Sequence, residues 1–209
     1  MPKGIMRMLR TILIPWICLP ALIQAAEPPS EPSAAHLQRA EKITGSLKLA
    51  ESTQATRVRD LIARQYSDLS GIHATRDTAI KEANKSAEAI SMARDSAAAR
   101  VREIHYAFLA ALSTDLSAEQ VEQVKDGMTY GVAPLTFRVY QEMLPTLSEE
   151  QKRQLLAWLR EAREHAMDAG SSEEKHACFG KYKGRINNYL AAAGIDMKKA
   201  EREMTERKK

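Results

Sequence analysis

Apolar residues recur along this chain at three- and four-residue steps, and that spacing is helical. Val58, Leu61, Ile62, Tyr66, Leu69 and Ile72 form one stripe. Ala83, Ala87, Ile90, Ala97, Val101, Ile104, Phe108 and Leu112 form a second, with Arg94 the one departure. No segment sustains the period-two alternation that marks a strand. The second stripe is rich in alanine, which lets a partner helix approach closely, so the two stripes predict a long antiparallel hairpin. Gly71 and the polar stretch 73–77 are the expected turn. No proline enforces it, and one long bent helix fits the same pattern.

Two start signals follow, Leu116-Ser117-Ala118-Glu119-Gln120 and Leu147-Ser148-Glu149-Glu150-Gln151. Each places a serine at an N-cap and a glutamine three residues on, the arrangement of a capping box, with glutamate in the first turn where the helix dipole favours it. Leu116 can staple onto Val121; in the second copy Lys152 takes that place and the staple fails. Pro134 fits the first position of a short helix running to Leu144, apolar on nearly every side and therefore expected to be buried. The next helix runs from Glu149 to about Ala169 with Gly170 as a left-handed cap, and the last from Ser171 or Ser172 to Ala193, stopped by Gly194. These elements predict an all-α fold, a single domain of about six or seven helices. Its N-terminal long hairpin packs on a C-terminal cluster holding Trp158 and Tyr189. The domain spans 37–195, between a Pro/Ser-rich linker at 26–36 and a charged tail at 196–209 expected to fray.

Composition changes the picture at the N-terminus. Lys3, Arg7 and Arg10 precede an apolar run of about 15 residues, broken by Pro15 and Pro20 and ending Ile23-Gln24-Ala25. A membrane span needs roughly 20 apolar residues, so 1–25 reads as a secretory signal peptide cleaved before Ala26. Ile17 ahead of Cys18 argues against lipidation. The expected location is periplasmic or secreted, with no stable membrane anchor. Without those three basic residues the net charge falls from +4 to +1, so nucleic acid is not an expected partner. Cys178 is then the one cysteine left, and no intramolecular disulfide can form.

The segments 125–132, 158–168 with the Ala-Gly-Ser-Ser that follows, and 179–190 resemble a family of secreted bacterial proteins of unknown function. Its members occur in Bacteroidetes, Planctomycetes and related phyla, often encoded beside genes for breaking down plant and algal polysaccharides. The resemblance spans roughly 39–200. It implies export, an all-helical fold and a carbohydrate context, and supplies no catalytic residues. Over about ten residues, the two Leu-Ser-x-Glu-Gln motifs are also similar to the Leu-Thr-x-x-Gln repeats of Spy/CpxP-type periplasmic chaperones.

Candidate chemistry gathers in the C-terminal half. On the last helix Phe179, Tyr182, Ile186, Tyr189, Leu190 and Ala193 share the core side, while Gly180, Gly184, Asn187 and Asn188 gather opposite, flanked by Lys181 and His176. Two mid-helix glycines cost about 1 kcal/mol each, which calls for a body lying against them. That body is either a crossing helix or a ligand held by Lys181, Arg185, Asn187 and Asn188, groups suited to the hydroxyls and carboxylate of an acidic sugar. His165 and Asp168 lie three apart with His176 beyond the turn, a trio open to a His/Asp/His metal site or an acid–base pair, although its spacing matches no established metal signature. Lys125, Asp126 and Tyr130 complete the candidate set, which places the site between 125–131 and the last helix rather than on the hairpin. No metal or other cofactor is expected. The primary reading is a binding or accessory protein for a glycan or another exported protein. The alternatives are an enzyme on acidic polysaccharide, using His165 or His176 with Asp168, Tyr130 and Arg185, and a helical chaperone.

Overall fold

The computed structural model describes residues 31–208. The signal expected over 1–25 and residues 26–30 of the linker lie outside them. Among the described residues there are eight helices and no strand. In chain order they are α1 (Ala34–Ser46), α2 (Ser52–Glu82), α3 (Ala87–Asp115), α4 (Ala118–Met128), α5 (Val132–Met143), α6 (Glu149–Met167), α7 (Ser172–Ala192) and α8 (Met197–Arg207). The all-α single domain is as expected, with one or two helices more.

The extra pieces lie at the ends. Ser33 caps α1, so the last residues of the expected linker are helical. The expected fraying tail is α8, capped by Asp196 and docked onto the end of α5. Ala200 is buried, Arg207 donates to the carbonyls of Glu142 and Met143, and Lys208 pairs with Glu142. A thin apolar edge of Ile195, Met197 and Ala200 suffices to dock an otherwise charged helix.

The hairpin of α2 and α3 turns later than expected. Leu69 and Ile72 are buried in α2, and nothing in 73–77 breaks the helix, which passes through exposed Gly71. The chain reverses at 83–86, where Asn84 and Lys85 take left-handed conformations at φ 45° and 70°. Both capping boxes are complete: Ser117 and Ser148 accept from the amides of Gln120 and Gln151, whose side chains bond back to the serine amides. Leu116 and Val121 are both buried in one cluster, as a staple requires.

Helix α5 begins at Val132 behind left-handed Gly131, so Pro134 holds the third helical position and not the first. Its amide would lack an intrahelical partner at either place. Nor is α5 buried all round. Ala133, Thr136 and Tyr140 face inward, while Leu135 and Val139 are exposed. Gly170 is not a left-handed cap either. Helix α6 stops at Met167, and Gly170 permits close approach, since a Cβ there would lie 2.8 Å from His73 Cγ. On α7, nothing among the described residues lies within 4 Å of a Cβ built at Gly180 or Gly184, so none of the eight helices crosses there.

Two apolar clusters result. The first joins α1, α2, α3 and α4 through Ile43, Ile62, Leu112 and Met128, with Met167 of α6 reaching into it. The second joins α5, α6, α7 and α8 through Tyr140, Leu159, Phe179, Ile186 and Ala200. Trp158 and Tyr189 pack on the second edge-to-face, ring centroids 5.3 Å apart. Between the clusters runs a polar seam, and it positions the site described below.

The glycines separate close approach from open surface. Gly180→Ala and Gly184→Ala should each stabilise the protein by about 0.5–1 kcal/mol, the helix propensity recovered in open space. Gly170→Ala should cost roughly 1–3 kcal/mol by overpacking His73. Urea denaturation of the three variants checks this; destabilisation at Gly180 or Gly184 would contradict the open face.

Candidate functional site

Helices α4 and α6 end beside each other at the seam. Their last residues, Met128 and Met167, present carbonyl oxygens that no further helical turn satisfies. Lys175, in the first turns of α7, fills that gap: Nζ donates to Met128 O at 3.2 Å and to Met167 O at 3.4 Å. The side chain lies in register with Phe179, Tyr182 and Ile186 on the buried face of α7 and is only 7% exposed. Burial pushes its ammonium down to about 8, with Asp168 pulling the other way and Arg39 adding to the fall. Nζ lies 5.7 Å from the centre of the Tyr66 ring.

Lys175 borders a cleft of about 640 Å³, within the range of ligand sites. One wall is α1, with His36, Arg39 and Lys42; another is α2, with Tyr66 and Ser70. Gly127 and Tyr130 close a third side, and Gly170, Ser171 and Ser172 of the turn before α7 close the fourth. Among the described residues lining the cleft there is no aspartate or glutamate. His36 stacks on Tyr66 at 6.1 Å, and the Arg39 guanidinium lies 6.0 Å from the same ring. Burial, followed by Arg39, lowers the His36 pKa, which leaves the imidazole neutral at pH 7. Burial raises the Tyr66 phenol to about 12, with Arg39 opposing and Tyr130 adding, so it remains a hydrogen-bond donor. Tyr130 is exposed in a left-handed conformation, φ 60°, and stacks on His176 at 5.8 Å. A bulky residue rarely holds that conformation, and here the turn is fixed by Gly131 N donating to Asp126 O at 2.8 Å.

Behind the cleft the seam is ionic. Arg163 of α6 is buried and pairs with Asp126 at 2.8 Å and Glu122 at 2.5 Å on α4. Lys125 lies 3.2 Å from both Glu122 and Glu164. Burial alone would raise the Glu122 carboxyl, but Arg163 and Lys125 hold it below its ordinary value. On α3, His105 Nδ1 lies 2.8 Å from Asp168 Oδ2. His73 Nε2 donates to Asp168 O at 2.8 Å, while Arg76, which can only donate, bonds His73 Nδ1.

Of the sequence candidates, Tyr130 lines the cleft and His176 stacks on it. Lys125, Asp126 and Asp168 belong to the ionic seam. His165 is exposed against the Tyr182 ring, 6.3 Å away. His165, Asp168 and His176 thus have different partners, and no metal-holding group of three His, Cys, Asp or Glu exists among the described residues. Lys181 and Asn188 are exposed on α7; Arg185 covers Trp158 at 4.6 Å, and Asn187 accepts from Tyr140 Oη at 2.7 Å. The cleft meets α7 only at its start and draws half its walls from α1 and α2. His36, Arg39, Lys42, Tyr66 and Lys175 were missed. Lys175 had a signal, a lysine in step with a core stripe; the cations of α1 look like any solvated helix face.

No helix among the described residues is long and apolar enough to cross a membrane. A family model described as "Protein of unknown function (DUF3826)" matches residues 34–209. No curated protein matches the chain.

The His105–Asp168 pair sets a pH dependence. Asp168 raises the His105 pKa, against burial and with help from Glu164. An unfolded histidine loses its proton near pH 6.5, the folded one higher, so the stabilisation is complete below about 6.5 and fades as pH rises through the folded value. His105→Gln should therefore cost roughly 1–2 kcal/mol at pH 6 and progressively less toward pH 9. Denaturation of both proteins across that range checks it; a gap that widens with pH would contradict the assignment.

Proposed function

The chain belongs to the DUF3826 family of unknown function, and we propose from its own geometry that it is an exported binding protein for an acidic oligosaccharide. One observation carries the reading: the cleft combines Arg39, Lys42 and Lys175 with serine hydroxyls and two tyrosines, and no described carboxylate lines it. An unbalanced cationic pocket gains from an anion, and guanidinium and ammonium groups suit carboxylates. Ser46, Ser70, Ser171 and Ser172 supply the donors and acceptors that sugar hydroxyls need. Tyr66 and Tyr130 offer ring faces to the apolar face of a pyranose. Uronates combine all three features. The apolar run of 1–25 supports export, and the carbohydrate context of the resembling family points the same way.

The two rival readings have less support. Tyr130 and His176 stack, but His165 packs on Tyr182, Asp168 pairs with His105 and Arg185 covers Trp158, and both Leu-Ser-x-Glu-Gln motifs are accounted for as capping boxes.

Calorimetric titration with galacturonate and mannuronate oligosaccharides, beside neutral gluco-oligosaccharides, tests the proposal. Acidic oligomers should bind and neutral ones should not, with affinity falling as salt rises. Arg39→Ala and Lys42→Ala, both at exposed positions, should each weaken binding about tenfold, the worth of one charge-assisted hydrogen bond. Equal binding of neutral oligomers would overturn the acidic ligand. Loss at Arg185→Ala or Asn188→Ala with Arg39→Ala unaffected would move the site to the outer face of α7.

A further inference from the structure

The ε-nitrogen of Lys175 has four tetrahedral positions, and the fold fills three. One is Cε, and two are the directions toward Met128 O and Met167 O. Both helix ends are fixed by their own packing, since Met128 and Met167 are fully buried in the first cluster. Among the described residues no other hydrogen bond takes the fourth position, and Lys175 lines the cleft beside the Tyr66 ring. An ammonium has three N–H groups to satisfy, whereas a neutral amine has two and a lone pair. Two carbonyl acceptors therefore match the neutral amine, and its lone pair takes the remaining direction. No described carboxylate forms an ion pair with Nζ to hold the proton in place. Desolvation in such a pocket is what turns a lysine into a nucleophile toward carbonyl carbon.

We propose that Lys175 is a carbonyl-capturing residue, forming an imine with the aldehyde or ketone of a carboxylate-bearing ligand whose carboxylate is held by Arg39 and Lys42. The step balances without a further reactant. The amine lone pair attacks the carbonyl carbon to give a carbinolamine, whose hydroxyl leaves with a nitrogen-derived proton as water, joining ligand and Nζ by a C=N bond. Hydrolysis reverses it. With its pKa lowered to about 8 by burial, about a tenth of Lys175 is neutral at pH 7. The ligand class is that of oxo acids, including uronic acids with a free reducing end in their open-chain form. This inference rests on the anionic-ligand reading of the same cleft and adds a covalent step to it.

The experiment treats the protein with galacturonate, with pyruvate, or with methyl galacturonoside, whose carbonyl is blocked, each with cyanoborohydride, and maps reduced adducts by peptide mass spectrometry. Thermal shift is recorded for the same ligands without reductant. Galacturonate or pyruvate should label Lys175 at least about tenfold more than exposed Lys181, Lys183 or Lys198, as a selectively activated amine requires. Excess methyl galacturonoside should suppress that labelling. Lys175→Arg should abolish the adduct while keeping the methyl galacturonoside shift, and the wild-type peptide map stands whether or not that variant folds. If methyl galacturonoside shifts the melting temperature but labelling is absent or spread evenly over surface lysines, the imine is overturned and anion binding stands. If there is neither shift nor selective label, both fail.

Discussion

The two apolar clusters of this protein meet through charge, and Lys175 is the point on which their junction depends. It holds the C-terminal carbonyl of α4, a helix of the first cluster, and that of α6, a helix of the second, with one nitrogen. Each helix end presents a partial negative charge that a cation relieves by about 0.3–1 kcal/mol. Burial nonetheless outweighs that gain, since the lysine's pKa is lowered and not raised. The ammonium is thus held where water cannot fully solvate it, and among the described residues no carboxylate forms an ion pair with it. The proposed anionic ligand would supply what the fold withholds.

The rest of the seam shows the contrast. Arg163 is buried as Lys175 is, but Asp126 and Glu122 complete its charge, and its pKa is raised even though burial opposes it. His105 is completed likewise by Asp168. Breaking a compensated pair strands a buried charge, which makes these residues structural. Among the described residues, cations with carboxylate partners form the seam, and Arg39, Lys42 and Lys175, which have no ion pair, line the cleft. That division separates the groups holding α4 to α6 from those that the proposed ligand would meet.

Much of the architecture was legible as pattern. Helical periods gave the class, and Ser117-Gln120 and Ser148-Gln151 marked two helix starts to the residue, because a capping box is a local reciprocal bond. The failures were places where tertiary contact overrode local signals. Gly71 and the polar 73–77 look like a turn, but Leu69 and Ile72 anchor α2 on either side of Gly71. Gly170 reads as a cap and is instead a close approach to His73, a contact between residues nearly a hundred positions apart. Gly180 and Gly184 call for a covering body, and none of the described residues supplies one. Of the residues lining the candidate cleft, Tyr130 and the start of α7 stand out in the sequence, whereas Arg39 and Lys42 are ordinary surface cations until α1 folds beside Tyr66. Lysine, histidine and arginine in step with core stripes, as at Lys175, His105 and Arg163, are the signal that repays attention in such sequences.

The central claim is that Lys175 is an uncompensated cation facing an anion site. Carbon-13 NMR of the protein labelled at lysine Cε, titrated with pH in the absence and presence of methyl galacturonoside, whose carbonyl is blocked, measures it directly. One lysine, assigned by its loss in Lys175→Arg, should titrate near 8 in the free protein and shift upward when the acidic ligand saturates the cleft. A Lys175 that titrates with the surface lysines near 10.4, or one whose titration the bound ligand leaves unmoved, would contradict the account.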